Sequence, residues 1–167
     1  MKPFSSILIT LVILLSVPFA SCVKKTETPV AAPPVAAVPL KTPEEVVRHF
    51  IDVSATAKTD GDRQKLQELC SGEMRRAFET MTPEAFRIAY LSNNVKVNEI
   101  KIIENTTKNE TAVIRYQVSL DNAQGTDVTK ETNEREVELA ETQGNWYINS
   151  IRPKGSDKIA FTRGMIF

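Results

Sequence analysis

The chain has 167 residues, with 21 basic and 21 acidic side chains, one histidine and two cysteines. A formal net charge of zero, with no basic cluster interleaved with aromatics, excludes a nucleic-acid binder. A single histidine cannot build a metal cluster, and the chain shows no phosphate-binding glycine loop or serine-centred elbow, so neither a metal nor a cofactor is expected.

The chain opens with Lys2 and an apolar run from Ile7 to Leu15 that continues, broken by Ser16 and Pro18, to Ala20. A membrane span needs roughly 20 apolar residues, so this stretch reads as a signal peptide. It ends Val17-Pro18-Phe19-Ala20-Ser21-Cys22, with small residues directly before the thiol. The arrangement resembles the lipobox of bacterial lipoproteins, although Phe19 stands where that family usually has leucine. The resemblance implies a diacylglyceryl group on Cys22, cleavage between Ser21 and Cys22, and a further acyl chain such as palmitate on the new amino terminus. Two or more chains give stable anchoring where one is marginal. The alternative is an ordinary secretory signal, with Cys22 incidental. The implied address is the bacterial cell envelope, and Val23 in place of an aspartate resembles outer-membrane lipoproteins.

From residue 22 to residue 41 the composition turns to Pro, Ala, Val and Thr, with Pro29, Pro33, Pro34 and Pro39 preventing regular helix. In a polyproline II conformation this tether reaches roughly 60 Å. The expected organisation is therefore a signal peptide over 1–21, a lipidated cysteine and tether over 22–41, one domain over 42–152, and a C-terminal tail over 153–167. With Cys22 consumed by lipid, only Cys70 remains, which excludes a structural disulfide in the mature chain. Its helical spacing from Leu66 places it in the core.

Within the domain, Thr42-Pro43-Glu44-Glu45 predicts a capped helix start, followed by the apolar stripe Val46, Val47, Phe50 and Ile51. His49 lies off the centre of that stripe, in a flanking role. A turn at Asp60-Gly61-Asp62 leads to short helices carrying Leu66, Leu69 and Cys70, then Met74, Ala77, Phe78 and Met81. Thr82-Pro83-Glu84 opens a further helix, with Phe86, Ala89 and Tyr90 on one face.

The period then changes from 3.6 to 2. Val95 and Val97 alternate, Ile100 and Ile102 take the opposite phase, and a bulge is expected near Asn98-Glu99. Ala112, Ile114, Tyr116, Val118 and Leu120 point inward, and after a polar loop through Gly125 so do Val137 and Leu139. Gln143-Gly144-Asn145 turns the chain into Trp146-Tyr147-Ile148, with Ile151 beyond a second irregularity. Glu136 and Glu138 are expected to face Arg115 or Lys96, while Arg135 and Glu141 share the inward phase. The fold class is α+β, with N-terminal helices on one face of a curved antiparallel sheet of about four strands.

This order of elements, with a last strand Gly-Asn-Trp-Tyr-Ile, resembles small bacterial lipoproteins of the cone-shaped superfamily that includes nuclear transport factor two and ketosteroid isomerase, of cystatin-like architecture. The resemblance implies a cavity between sheet and helices, with Phe86, Tyr90, Tyr116 and Trp146 near it, either lining or filling it.

Three functions follow as alternatives. The first is a membrane-anchored, non-enzymatic module that binds a small apolar ligand or an envelope protein. The second is an isomerase-like or hydratase-like enzyme using the cavity, and the third is a structural envelope accessory with a filled core. The polar outward sheet face, with Lys96, Arg115, Gln117, Glu136 and Glu138, predicts a monomer or a weak dimer. The apolar tail from Ile159 to Phe167 is expected to dock on the domain or on a partner.

Overall fold

A computed structural model describes residues 42–92, 95–124 and 127–167. The chain separates into two units, Met1–Ala36 and Ala37–Phe167, and every described residue belongs to the second. The expected signal peptide, lipobox at Cys22, tether and loop through Gly125 lie outside the described residues. No helix among the described residues is long and apolar enough to cross a membrane.

Helix α1 (Pro43–Thr56) starts as its sequence dictates. Thr42 Oγ1 accepts from the Glu45 N–H at 3.2 Å, and Glu45 Oε2 accepts from the Thr42 N–H at 3.0 Å, which satisfies two of the helix's orphan donors. α2 (Gly61–Glu68) and α3 (Gly72–Thr80) follow. α4 (Pro83–Phe86) is capped by Thr82, whose hydroxyl accepts from Ala85 N–H, and it loosens into a π-helical turn over Arg87–Leu91.

The sheet is a four-stranded antiparallel meander in the order β1 (Val95–Lys108), β2 (Thr111–Gln124), β3 (Asp127–Thr142), β4 (Asn145–Pro153). Gln143 and Gly144 both take positive φ, 53° and 78°, in the two-residue turn between β3 and β4, the backbone that matches strand twist. The register slips at Asn98 and again at Ile103 on β1, and at Asn149 on β4. Such bulges bend the strands and increase their twist, so the sheet curves around its helices. Its inner face buries Ile114, Tyr116, Val118, Val137, Leu139, Ile148 and Ile151 against Val46, Val47, Phe50, Phe78 and Phe86.

The helical half contacts both sheet edges. On β1, Arg48 donates to Ile100 O at 3.0 Å and Asn105 Nδ2 donates to Glu44 Oε1 at 2.9 Å. On β4, Leu69 to Ser71 forms a short parallel bridge: Ile148 N–H donates to Leu69 O at 2.9 Å and Ser71 N–H donates to Ile148 O at 2.8 Å. Cys70 is therefore in the core as expected, but in this bridge rather than on a helix.

Gly72 enters α3 with φ +49°, and a Cβ there would stand 1.7 Å from Asn149 Oδ1. Gly72→Ala is expected to cost about 1–2 kcal/mol, from left-handed backbone strain and displacement of Asn149, measured as a drop in urea midpoint.

The outward ion pairs run both directly across and diagonally, with Glu104 the direct partner of Arg115 in the β1–β2 register. Glu136 sits opposite Arg115 in register, yet the Arg115 guanidinium pairs with Glu104 at 2.7 Å and Glu134 at 3.3 Å, while Glu138 pairs with Arg152 at 3.0 Å. A long arginine side chain reaches diagonal neighbours as readily as the direct one.

Candidate functional site

The region between the sheet, α1 and the π-helical turn is occupied by side chains and by the chain's own C-terminal segment. Phe86 and Tyr90 stack at 4.9 Å between ring centroids, and Phe78 tilts against Tyr90 at 5.7 Å. Tyr116 rises from the middle of β2 beside them, fully buried. Trp146, 8 % exposed, belongs to the same core but pairs with Glu141, whereas Tyr116 pairs with Arg135. Along β3 that separation is roughly 20 Å at the usual strand rise. Phe86, Tyr90 and Tyr116 thus sit together and Trp146 sits at the far, hairpin end.

Above the tyrosines lies the segment from Ile159 to Phe167, ending in a short helical turn α5 (Arg163–Ile166). Ala160 N–H donates to Ile151 O at 2.7 Å, and Ala160, Ile166 and Phe167 are buried to 0–1 % exposure. The packed unit therefore continues through the tail to Phe167.

Polar groups hold the segment from below. Tyr90 OH donates to Phe161 O and Tyr116 OH to Ile166 O, each at 2.6 Å. Arg135 Nε donates to Met165 O at 2.6 Å and its terminal nitrogen donates to Phe167 O, which also accepts from Asn133 Nδ2 at 3.3 Å. In return Arg163, 5 % exposed, donates to Ser54 O at 2.8 Å and Ala57 O at 2.9 Å. It thereby satisfies carbonyls at the C-terminal end of α1, where the helix dipole favours a cation. Burial pushes both guanidinium groups below their ordinary pKa. The inward phase of Arg135 was visible in the alternation of β3; the role of Arg163 had no signal beyond a cation within an apolar tail.

Burial holds the Tyr90 and Tyr116 hydroxyls above their ordinary range. The folded state thus keeps protons that the unfolded chain releases above about pH 10. Stability is expected to be intact below that pH and to fall as pH rises beyond it. Urea titrations from pH 8 to 11 check this, with Tyr116→Phe reducing the slope.

Cys70 offers no nucleophile. It is free, fully buried, and burial raises its thiol pKa against the smaller opposing influence of Arg75. Ellman's reagent is expected to leave it unmodified in buffer and to titrate it completely in 6–8 M urea, a rate difference of roughly 100-fold or more given the rarity of the open state. No group of three or more acidic, histidine or cysteine residues among those described is placed to hold a metal ion, and His49 is exposed on α1.

The open surface carries clefts elsewhere. One of about 740 Å³ runs between α3 and the C-terminal segment, lined by Ala77, Thr80, Ile159, Phe161 and Met165, with Arg76 at its rim. Another of about 300 Å³ lies between α1 and β1 at Ile51, Ala55, Val95 and Ile100. A third, polar cleft of about 570 Å³ adjoins Glu136, Glu138 and Arg152.

No protein-family model matches the chain, and no curated protein matches it. Among solved structures, a SEC-C motif containing protein from Rhodopseudomonas palustris is similar with a TM-score of 0.53 at 14 % identity, over 70 % of this chain and 81 % of that one. The intermembrane space region of the chloroplast protein ARC6 is similar with a TM-score of 0.52 at 13 % identity, over 68 % of this chain and 94 % of that one. An NTF2-like protein with a cystatin-like fold from Novosphingobium aromaticivorans aligns with a TM-score of 0.44 at 12 % identity, over 68 % and 80 %. For the first two, at these identities, the likeness is one of fold.

Proposed function

We propose that the protein is a lipid-anchored lipoprotein of the bacterial cell envelope, held in the outer membrane through Cys22. Its nuclear-transport-factor-like domain acts as a non-enzymatic protein-interaction module. The observation that carries the reading is the occupied interior: Tyr90 and Tyr116, the polar groups placed best for chemistry, each spend their hydroxyl on a main-chain carbonyl of the C-terminal segment. A general acid or base must reach a reacting atom, and these hydroxyls reach backbone. The apolar surface left open, at Phe161 and Ile88, 41 % and 62 % exposed, faces outward and suits a protein partner better than an enclosed ligand.

Two experiments test this. Metabolic labelling with an alkynyl palmitate analogue is expected to mark the wild-type chain in the membrane fraction and to leave Cys22→Ala unlabelled; equal labelling of both would overturn the anchor. In-cell photo-crosslinking from position 88, outside the C-terminal segment, is expected to trap an envelope protein. A reproducible small-molecule mass released from the purified protein on denaturation, with no cross-link, would overturn the module reading in favour of ligand binding.

A further inference from the structure

We propose that the groove holding residues 159–167 is a peptide-binding site, occupied here by the chain's own segment. Its partner in trans is an apolar segment of another protein, with a cation three residues before an aliphatic-aromatic pair.

The contacts define that chemistry. Every side-chain donor described from the body of the domain to the segment ends on main-chain oxygen: Tyr90 on Phe161, Tyr116 on Ile166, Arg135 on Met165 and Phe167, Asn133 on Phe167. Donors that read carbonyls accept any peptide able to take the same backbone path. Side-chain selection comes from the buried pockets for Ala160, Ile166 and Phe167, and from the α1 carbonyls of Ser54 and Ala57 that receive Arg163. The spacing of Arg163 from Ile166-Phe167 gives the partner its signature.

The segment is joined to the sheet in a way that lets it leave alone. The connector after Pro153 is folded into its own turn, with Ser156 N–H donating to Pro153 O at 3.0 Å and Lys154 pairing with Glu134 at 2.9 Å. Gly155 within it has φ +71° and nothing near its Cα side. Exchange between two copies would require that turn to straighten, whereas release of residues 159–167 leaves it intact, which favours a partner protein's peptide over a second copy.

The inference rests on the interaction-module reading, yet the two fail separately, because lipid labelling and envelope cross-links do not depend on this groove. The test uses the full chain. By hydrogen exchange, the amides of Met165, Ile166 and Phe167 are expected to exchange at least tenfold faster than those of Ile114 to Val118, as local release requires. A fluorescein-labelled synthetic peptide carrying residues 159–167 is then titrated by anisotropy. Arg163→Ala, which weakens the internal competitor and spares the groove, is expected to bind it roughly tenfold tighter than wild type, because the open fraction rises. A peptide with alanine in place of its arginine is expected to bind at least tenfold more weakly. Should Arg163→Ala fail to fold, Ile166→Ala serves the same purpose. Exchange as slow as β2, no gain in peptide affinity in a folded variant, or a dimer by light scattering in place of peptide binding would each overturn the proposal.

Discussion

Tyr116→Ala is expected to lower the unfolding free energy by about 3–5 kcal/mol. The ring is fully buried and touches the interior from the centre of β2, so truncation removes its transfer energy and leaves a cavity. It also strips Ile166 O of its donor, and an unpaired buried acceptor costs about 1–3 kcal/mol. Set against a typical domain stability of about 5–15 kcal/mol, the loss is severe. Tyr116→Phe separates the two contributions and is expected to cost about 1–2 kcal/mol. Urea unfolding followed through Trp146, the chain's one tryptophan, reads both variants without an added label. A loss below about 1 kcal/mol for Tyr116→Ala would mean that the ring borders empty space instead of filling it.

Phe167→Ala is expected to cost a further class of about 3–5 kcal/mol, although the residue lies in the segment that the sequence sets apart as a tail. Phe167 is 1 % exposed and its main-chain oxygen receives Arg135 and Asn133. Phe161→Ala is the control: its ring is 41 % exposed, and removal is expected to stay within about 1 kcal/mol. Limited proteolysis gives a second readout, because Arg163 is 5 % exposed. Trypsin is expected to spare that bond in the wild type and in Phe161→Ala, and to cut it rapidly in Phe167→Ala.

Local chemistry made much of the architecture legible. Thr42 with Glu45, and Thr82 with Pro83, are self-contained helix starts. The alternation from Ala112 to Leu120 names an inner face without reference to any other strand, and the phase change between Val97 and Ile100 marks the bulge at Asn98. The second slip, at Ile103, was hidden because Ile102 and Ile103 are both apolar and only the sheet register decides which one faces out. The π-helical turn after Phe86 preserves the apolar face of Phe86 and Tyr90 and so leaves no trace in the pattern. Cys70 reads as helical by spacing, but its backbone is claimed by Ile148, far along the chain.

The candidate site was the least legible part for a related reason. Aromatic rings at Phe86, Tyr90, Tyr116 and Trp146 announce themselves by type, but whether they surround a vacancy depends on what packs against them. Here that is decided by main-chain oxygens of Phe161, Met165, Ile166 and Phe167. Backbone acceptors are the same at every position, so no residue identity encodes them. The grip of Arg163 on Ser54 and Ala57 belongs to this class as well.

That grip also sets a clock. Arg163 reaches back 109 residues to Ser54, and a ribosome adding about 5–20 residues per second needs on the order of 5–20 s to cover that distance. During this interval α1, its capping box and the first three strands can emerge, but the tyrosine side of the domain has nothing to close it. Loop closure over such a span is slow to begin with. Completion of the core thus waits for residue 163, and a nascent chain stalled before it presents Tyr90 and Tyr116 to whatever chaperone or export factor is at hand.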